Sequence, residues 1–129
     1  MTKIAIEHDR QLDAIVLGRA GVDLYARELN TDIQDISGFN KFVGGSAANI
    51  AVAVNKLGGK VGFIGCVAKD SFGDYVKHYM SGLGINLNGM MSDDSGSRTS
   101  VAFTEMKPSD CDVLILSLIH ISEPTRQSS

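Results

Sequence analysis

A chain of 129 residues, 43% hydrophobic and 21% charged, has the size and balance of one globular domain, not of a disordered or membrane-embedded segment. Its net charge of −3 supplies no basic footprint, which argues against nucleic acid and anionic membrane as partners. Two cysteines, Cys66 and Cys111, with no signal peptide ahead of them, point to a reducing cytoplasm, and the histidines His8, His78 and His120 show no metal-ligand spacing.

The chain opens on a polar leader, residues 1–11, expected to be loose. Leu12 to Gly18 is a short apolar run ending in glycine, the pattern of a buried parallel strand. Val22–Leu29 and Ile36–Val43 are moderately β-prone around the polar Asn30–Asp35 stretch, and are expected to form a small sheet or flap. A helix follows from Ala47 to Leu57, with Ala47, Ile50, Ala51, Val54 and Leu57 on one face, and Gly58-Gly59 stops it. Val61–Val67 reads as a second buried strand, Ser71 as the cap of a helix reaching about Leu83, and Ile85–Met91 as a third strand. After the turn Ser92–Gly96, Thr99–Met106 alternates like a strand with one wetter face. Strands and helices in this order predict a parallel, doubly wound α/β layer.

Within that layer the segment Val43-Gly44-Gly45-Ser46-Ala47-Ala48-Asn49 is the strongest candidate for chemistry. Adjacent glycines permit positive φ and close approach of a ligand, and the unpaired N–H groups of the helix start face whatever lies above them. Asn49 interrupts a small, apolar run where it can reach such a ligand. The same residues also fit a plain turn with an N-cap and a solvated Asn49, and the motif alone does not separate the two. Gly18 to Asp23 leaves the carboxyl end of the first strand, where open α/β sheets bind ligands. Asp23 can accept hydrogen bonds from hydroxyls, and Arg19 suits a carboxylate or phosphate; taken singly, each is equally a turn residue or a surface charge. The G-x-G-x-x-G dinucleotide fingerprint and the G-x-x-x-x-G-K-[ST] loop are both missing from the sequence.

Gly44-Gly45-x-Ala47-x-Asn49-x-Ala51, then Gly58, then the Gly65–Gly73 block with Asp70-Ser71-Phe72-Gly73, resembles the first signature of the PfkB/ribokinase family of carbohydrate kinases. Gly18-x4-Asp23 resembles that family's substrate-binding strand end, and the likeness runs from about Leu12 to about Ile115. Ala68 stands where the signature closes with glycine. The resemblance implies a ribokinase-like parallel layered sheet with a small β lid, here its N-terminal part only. It implies that Asp23 and Asn49 hold sugar hydroxyls, and that Gly44 and Gly45 allow close approach. The stretches at about 22–43 and 98–106 would be lid strands, through which the longer protein could form a homodimer. Residues 18–25, 42–51 and 102–105 look most like a branch that phosphorylates a keto sugar acid from myo-inositol breakdown, and such a substrate would occupy Arg19.

The resemblance brings ATP and Mg2+ as cofactors, but it places their sites, and the catalytic Asp of a G-x-G-D segment, in a later half. No catalytic residue is therefore expected within these 129 residues, and the fragment should be inactive alone. A non-catalytic sugar-binding module, or a kinase of another sugar or nucleoside, would use the same crevice. Leu116 to Arg126 resembles the translation of a sequencing-library adapter, so residues 12–115 are read as the sugar-binding part and 116–129 as an artefactual tail. The apolar Leu114–Ile121 run could still pair as a strand.

Overall fold

The computed structural model describes residues 10–107 and the backbone of residues 113–116. Strand β1 (Ala14–Leu17) leads into a long strand β2 (Gly21–Leu29), which turns through a short 3-10 segment (Ile33–Asp35) into β3 (Phe39–Gly44). Helix α1 (Ser46–Lys56), strand β4 (Val61–Ala68), helix α2 (Ser71–Gly82) and strand β5 (Asn86–Asp93) follow, and then β6 (Val101–Met106) and β7 (Val113–Leu116). The leader through residue 9 and the tail beyond 116 lie outside the described residues.

The strands form two sheets. One is parallel, in the order β1-β4-β5; the other has the order β3-β2-β6-β7. In the second, β2 pairs antiparallel with β3, parallel with β6 through an irregularity between Tyr25 and Leu29, and β6 pairs antiparallel with β7. The small sheet expected from residues 22–43 and 98–106 is thus present, with β7 added at its edge. One core joins the sheets: Val22 and Val101, at the base of the second, cluster with Val61 and Phe63 of β4 and with Val76 and Met80 of α2. Each such fully buried side chain contributes roughly 1.5–3 kcal/mol. Tyr75 of α2 adds a tie to the small sheet: its hydroxyl donates to the Lys41 carbonyl at 3.4 Å, and the Lys41 ammonium lies 5.1 Å from its ring centre.

The expected doubly wound layer is corrected. Moving from β1 to β4 to β5 steps across the sheet in one direction, and right-handed crossovers that all step the same way place their helices on the same face. Accordingly α1 and α2 share the face of Val61, Phe63 and Val67, while Ile15, Leu17, Ile64, Cys66 and Met91 are exposed. For that reason β1 is parallel as expected but only half buried, with Leu17 74% exposed.

Two local expectations change as well. Helix α1 buries Ala47, Ala48 and Ala51, and leaves Ile50 and Leu57 in solvent. Its small face is what lets it sit against β1, where a Cβ on Gly18 would lie 2.6 Å from that of Ala47. The cap of α2 is Asp70, not Ser71: the Asp70 carboxylate accepts the Gly73 N–H at 2.7 Å, the cap-to-third-residue bond of a helix start.

Candidate functional site

The site is built where β2, β3 and the start of α1 meet. Gly21 pairs with Gly44, and Asp23 with Phe42, so the Asp23 side chain folds back over the Gly44 backbone. A Cβ on Gly44 would lie 2.3 Å from the Asp23 carboxylate carbon and both of its oxygens. Glycine at 44 is therefore a condition for the position of Asp23. Gly45 has φ +99°, a conformation costly for any other residue, and a Cβ there would meet the Arg19 carbonyl at 2.6 Å.

Gly45 also begins α1 with no side-chain cap, and the first helical bond runs from the Asn49 N–H to the Gly45 carbonyl at 2.9 Å. The N–H groups before Asn49 thus have no intrahelical acceptor. A cleft of about 210 Å³ opens there, lined by Arg19, Asp23, Gly45, Ser46 and Ser100 among others. Uncapped amides suit an oxygen-rich ligand, since each bond to one satisfies a donor that the helix cannot.

Asp23 accepts no hydrogen bond from the described residues. Burial, with nothing to offset it, pushes its carboxyl above the usual carboxylate range. A desolvated carboxylate without donors gains most from ligand hydroxyls that bring donors to it. Asp23 lies between two spaces, because it also lines a groove of about 670 Å³ that runs under the small sheet. That volume falls within the roughly 300–1,000 Å³ of small-molecule sites.

Asn49 lines this larger groove with Asp23, and its exposed side chain makes no hydrogen bond to the described residues. Tyr25 and Phe42 pack edge to face on the groove wall, with ring centres 5.5 Å apart. Asp23 is common to both spaces: Asn49 joins it in the larger groove, Gly45 joins it in the smaller cleft, and Gly44 lies beneath its carboxylate. Arg19 does not join Asn49: it lines the smaller cleft and a second one beside it. Sequence reasoning had not singled out Ser46, Ser100 or Arg98 at these clefts. Ser46 sits within the glycine motif and was open to discovery; a serine and an arginine after a polar turn carry no local signature.

The described residues include no group of three His, Cys, Asp or Glu side chains able to hold a metal ion. No helix among them is long and apolar enough to cross a membrane.

The described residues thus form a parallel layer carrying a small sheet, with a glycine turn and a carboxylate at their junction. The model of the pfkB family of carbohydrate kinases matches residues 11–127, and the chain belongs to that family. It is 81% identical over 115 residues to the 5-dehydro-2-deoxygluconokinase of Photobacterium profundum, covering 89% of this chain and 35% of that one. Among solved structures, an uncharacterized sugar kinase from Pyrococcus horikoshii superposes with a TM-score of 0.74 at 29% identity, covering 82% of this chain and 36% of its own. That sugar kinase has also been solved in complex with ATP. The fructokinase of Halothermothrix orenii gives a TM-score of 0.71 at 31% identity, covering 81% and 37%. The chain spans about a third of the length of the curated relatives it matches.

Proposed function

We propose that residues 12–115 are the sugar-binding part of a cytoplasmic, ATP-dependent kinase whose substrate is 5-dehydro-2-deoxy-D-gluconate, an intermediate of myo-inositol breakdown. Asp23 and Asn49 hold sugar hydroxyls, Gly44 and Gly45 let the sugar reach the backbone, and Arg19 meets its acid group. The observation that carries this reading is Asp23: a desolvated carboxylate with no donor of its own, fixed over a glycine that no side chain can replace. The small sheet acts as a lid that keeps water from the sugar, which matters because phosphoryl transfer competes with hydrolysis. In the longer protein it also supports a homodimer.

The likeness to the Photobacterium profundum kinase supports the choice of sugar acid, and the ATP complex of the Pyrococcus horikoshii sugar kinase supports ATP as donor. The phosphates, metal and general base belong to residues beyond this chain. The fragment therefore binds but does not turn over, because phosphoryl transfer is almost entirely the positioning of those groups.

Titration of the purified chain with 5-dehydro-2-deoxygluconate, fructose, ribose and adenosine, beside an assay for ADP release with ATP, tests both halves of the proposal. Binding that favours the sugar acid, with no ADP above background, is expected. Preference for the nucleoside would overturn the substrate, and robust turnover would overturn the assignment of catalysis to residues outside this chain.

A further inference from the structure

Past the carboxyl ends of β1, β4 and β5 lies a second cleft of about 210 Å³, lined by Arg19, Cys66, Asp93, Ser97, Arg98 and Ser100 among others. It shares Arg19, Ala20 and Ser100 with the cleft beside Asp23, so the two are continuous. Two arginines thus line a space that opens onto the candidate sugar site. Against them stands the Asp93 carboxylate, one oxygen of which accepts the Ser95 N–H at 2.9 Å.

Arg98 is carried on a fixed piece of backbone. Thr99, the next residue, is 3% exposed. Its N–H donates to one Asp70 oxygen at 2.8 Å and its hydroxyl to the other at 2.7 Å, while the hydroxyl oxygen accepts the Ala68 N–H at 3.2 Å. The Gly73 N–H takes a further place on Asp70 at 2.7 Å, so this carboxylate is already supplied with three donors. Arg98 acts on Asp70 through charge, and it is an exposed residue that lines the cleft. Arg19, also exposed, makes no hydrogen bond or ion pair with the described residues. A planar fork on an anchored base is what bidentate recognition of a carboxylate needs.

We infer that Arg98 and Arg19 together form the carboxylate-binding end of the sugar site, and that Arg98 is a specificity residue selecting a sugar acid over a neutral sugar. This rests on the reading of Asp23 and Asn49 as the hydroxyl-binding end. The sugar then spans from the glycine turn to the end of β4, with its acid group away from the lid groove.

The test is calorimetric titration of the 129-residue chain with 5-dehydro-2-deoxygluconate and with its neutral carboxamide, for the unsubstituted chain and for Arg98→Gln, Arg98→Lys and Asp23→Asn. Arg98→Gln should weaken the acid about 10- to 100-fold, the usual range for a lost charged hydrogen bond, and leave the carboxamide within about twofold. Arg98→Lys should fall between, and it decides the matter if the Gln variant does not fold. Asp23→Asn should weaken both compounds. Equal weakening of both by Arg98→Gln, or of neither, would overturn the clamp and leave the Asp23 reading standing. If Asp23→Asn weakens neither, the sugar site itself is overturned; if the unsubstituted chain binds neither compound, both fall. Competition by inorganic phosphate that disappears in Arg98→Gln would reassign the pair to a phosphate and overturn the carboxylate role.

Discussion

Asp70 and Asp23 stand at two corners of the molecule, each folded against a glycine, and differ in what surrounds them. At the Asp70 corner burial raises the carboxyl pKa, but hydrogen bonds from Thr99 and Gly73 and the charge of Arg98 outweigh it and hold the group below its usual range. At the Asp23 corner burial acts alone and the pKa is raised. The first carboxylate has spent its capacity on the fold, joining the end of β4, the start of α2 and the approach to β6. The second has kept its capacity, and the structure has cleared a glycine floor beneath it. Equal chemistry in unequal settings separates a structural acid from one that a ligand can use.

The largest expected effect breaks the first corner. Asp70→Ala removes a helix cap and two charged bonds to Thr99, and should lower unfolding free energy by about 2–4 kcal/mol, measured by chemical denaturation. Loss of well under 1 kcal/mol would show that the network is incidental.

The second effect sharpens the comparison through the sign of its pH dependence. Because the folded pKa of Asp70 is lowered, its stabilisation is present above the unfolded value of about 4 and disappears as pH falls through the lower folded value. Asp23 has the opposite sign: its folded pKa lies above the unfolded one, so its contribution is present at low pH and lost as pH rises past the folded value. Asp23→Asn should therefore leave stability at neutral pH unchanged or slightly raised, while weakening sugar-acid binding about tenfold or more. The fall in binding by the unsubstituted chain on acidification through the raised Asp23 value should vanish in this variant. Stability lost in parallel with binding would make Asp23 a second structural acid.

Sequence alone made one of these corners legible and half of the other. The glycine pair pointed to the Asp23 corner only together with Gly18–Asp23 at the end of the first strand, because alone it fits a plain turn with an N-cap equally well. Asp70 stood in view beside Ser71, and both are good caps. What decides between them is which residue takes extended φ and ψ, and that is set by how β4 ends against Thr99, 29 positions away. The strands of the parallel sheet followed from their apolar runs, and the end of α1 from Gly58-Gly59. The single covered face did not, because the direction of successive crossovers is a property of strand order and leaves no mark in any one segment. The exposure of Ile50 shares that cause: periodicity names a helix's apolar positions, but the sheet selects which of them it meets.

The smallest effect concerns the edge of the small sheet, where Val101 pairs with Leu116 at the end of β7. If residues 116–129 are the adapter-derived tail proposed from their sequence, a chain ending at Ile115 should melt within a few degrees of the full one. That corresponds to less than about 1 kcal/mol. A large loss of solubility or melting temperature would make the tail part of the domain.

The uncovered face of the parallel sheet has a consequence for how the molecule behaves in a tube. Ile15, Leu17, Ile64 and Met91 present apolar side chains side by side on a flat, hydrogen-bonded support, with no helix of the described residues over them. Contiguous apolar surface of this kind is where proteins stick to one another and to hydrophobic dyes. Sulfate and phosphate, which strengthen apolar association, are therefore the wrong salts for keeping this chain monodisperse. A chloride buffer at low protein concentration treats that surface gently, and binding measured there reports on the candidate sugar site and not on self-association.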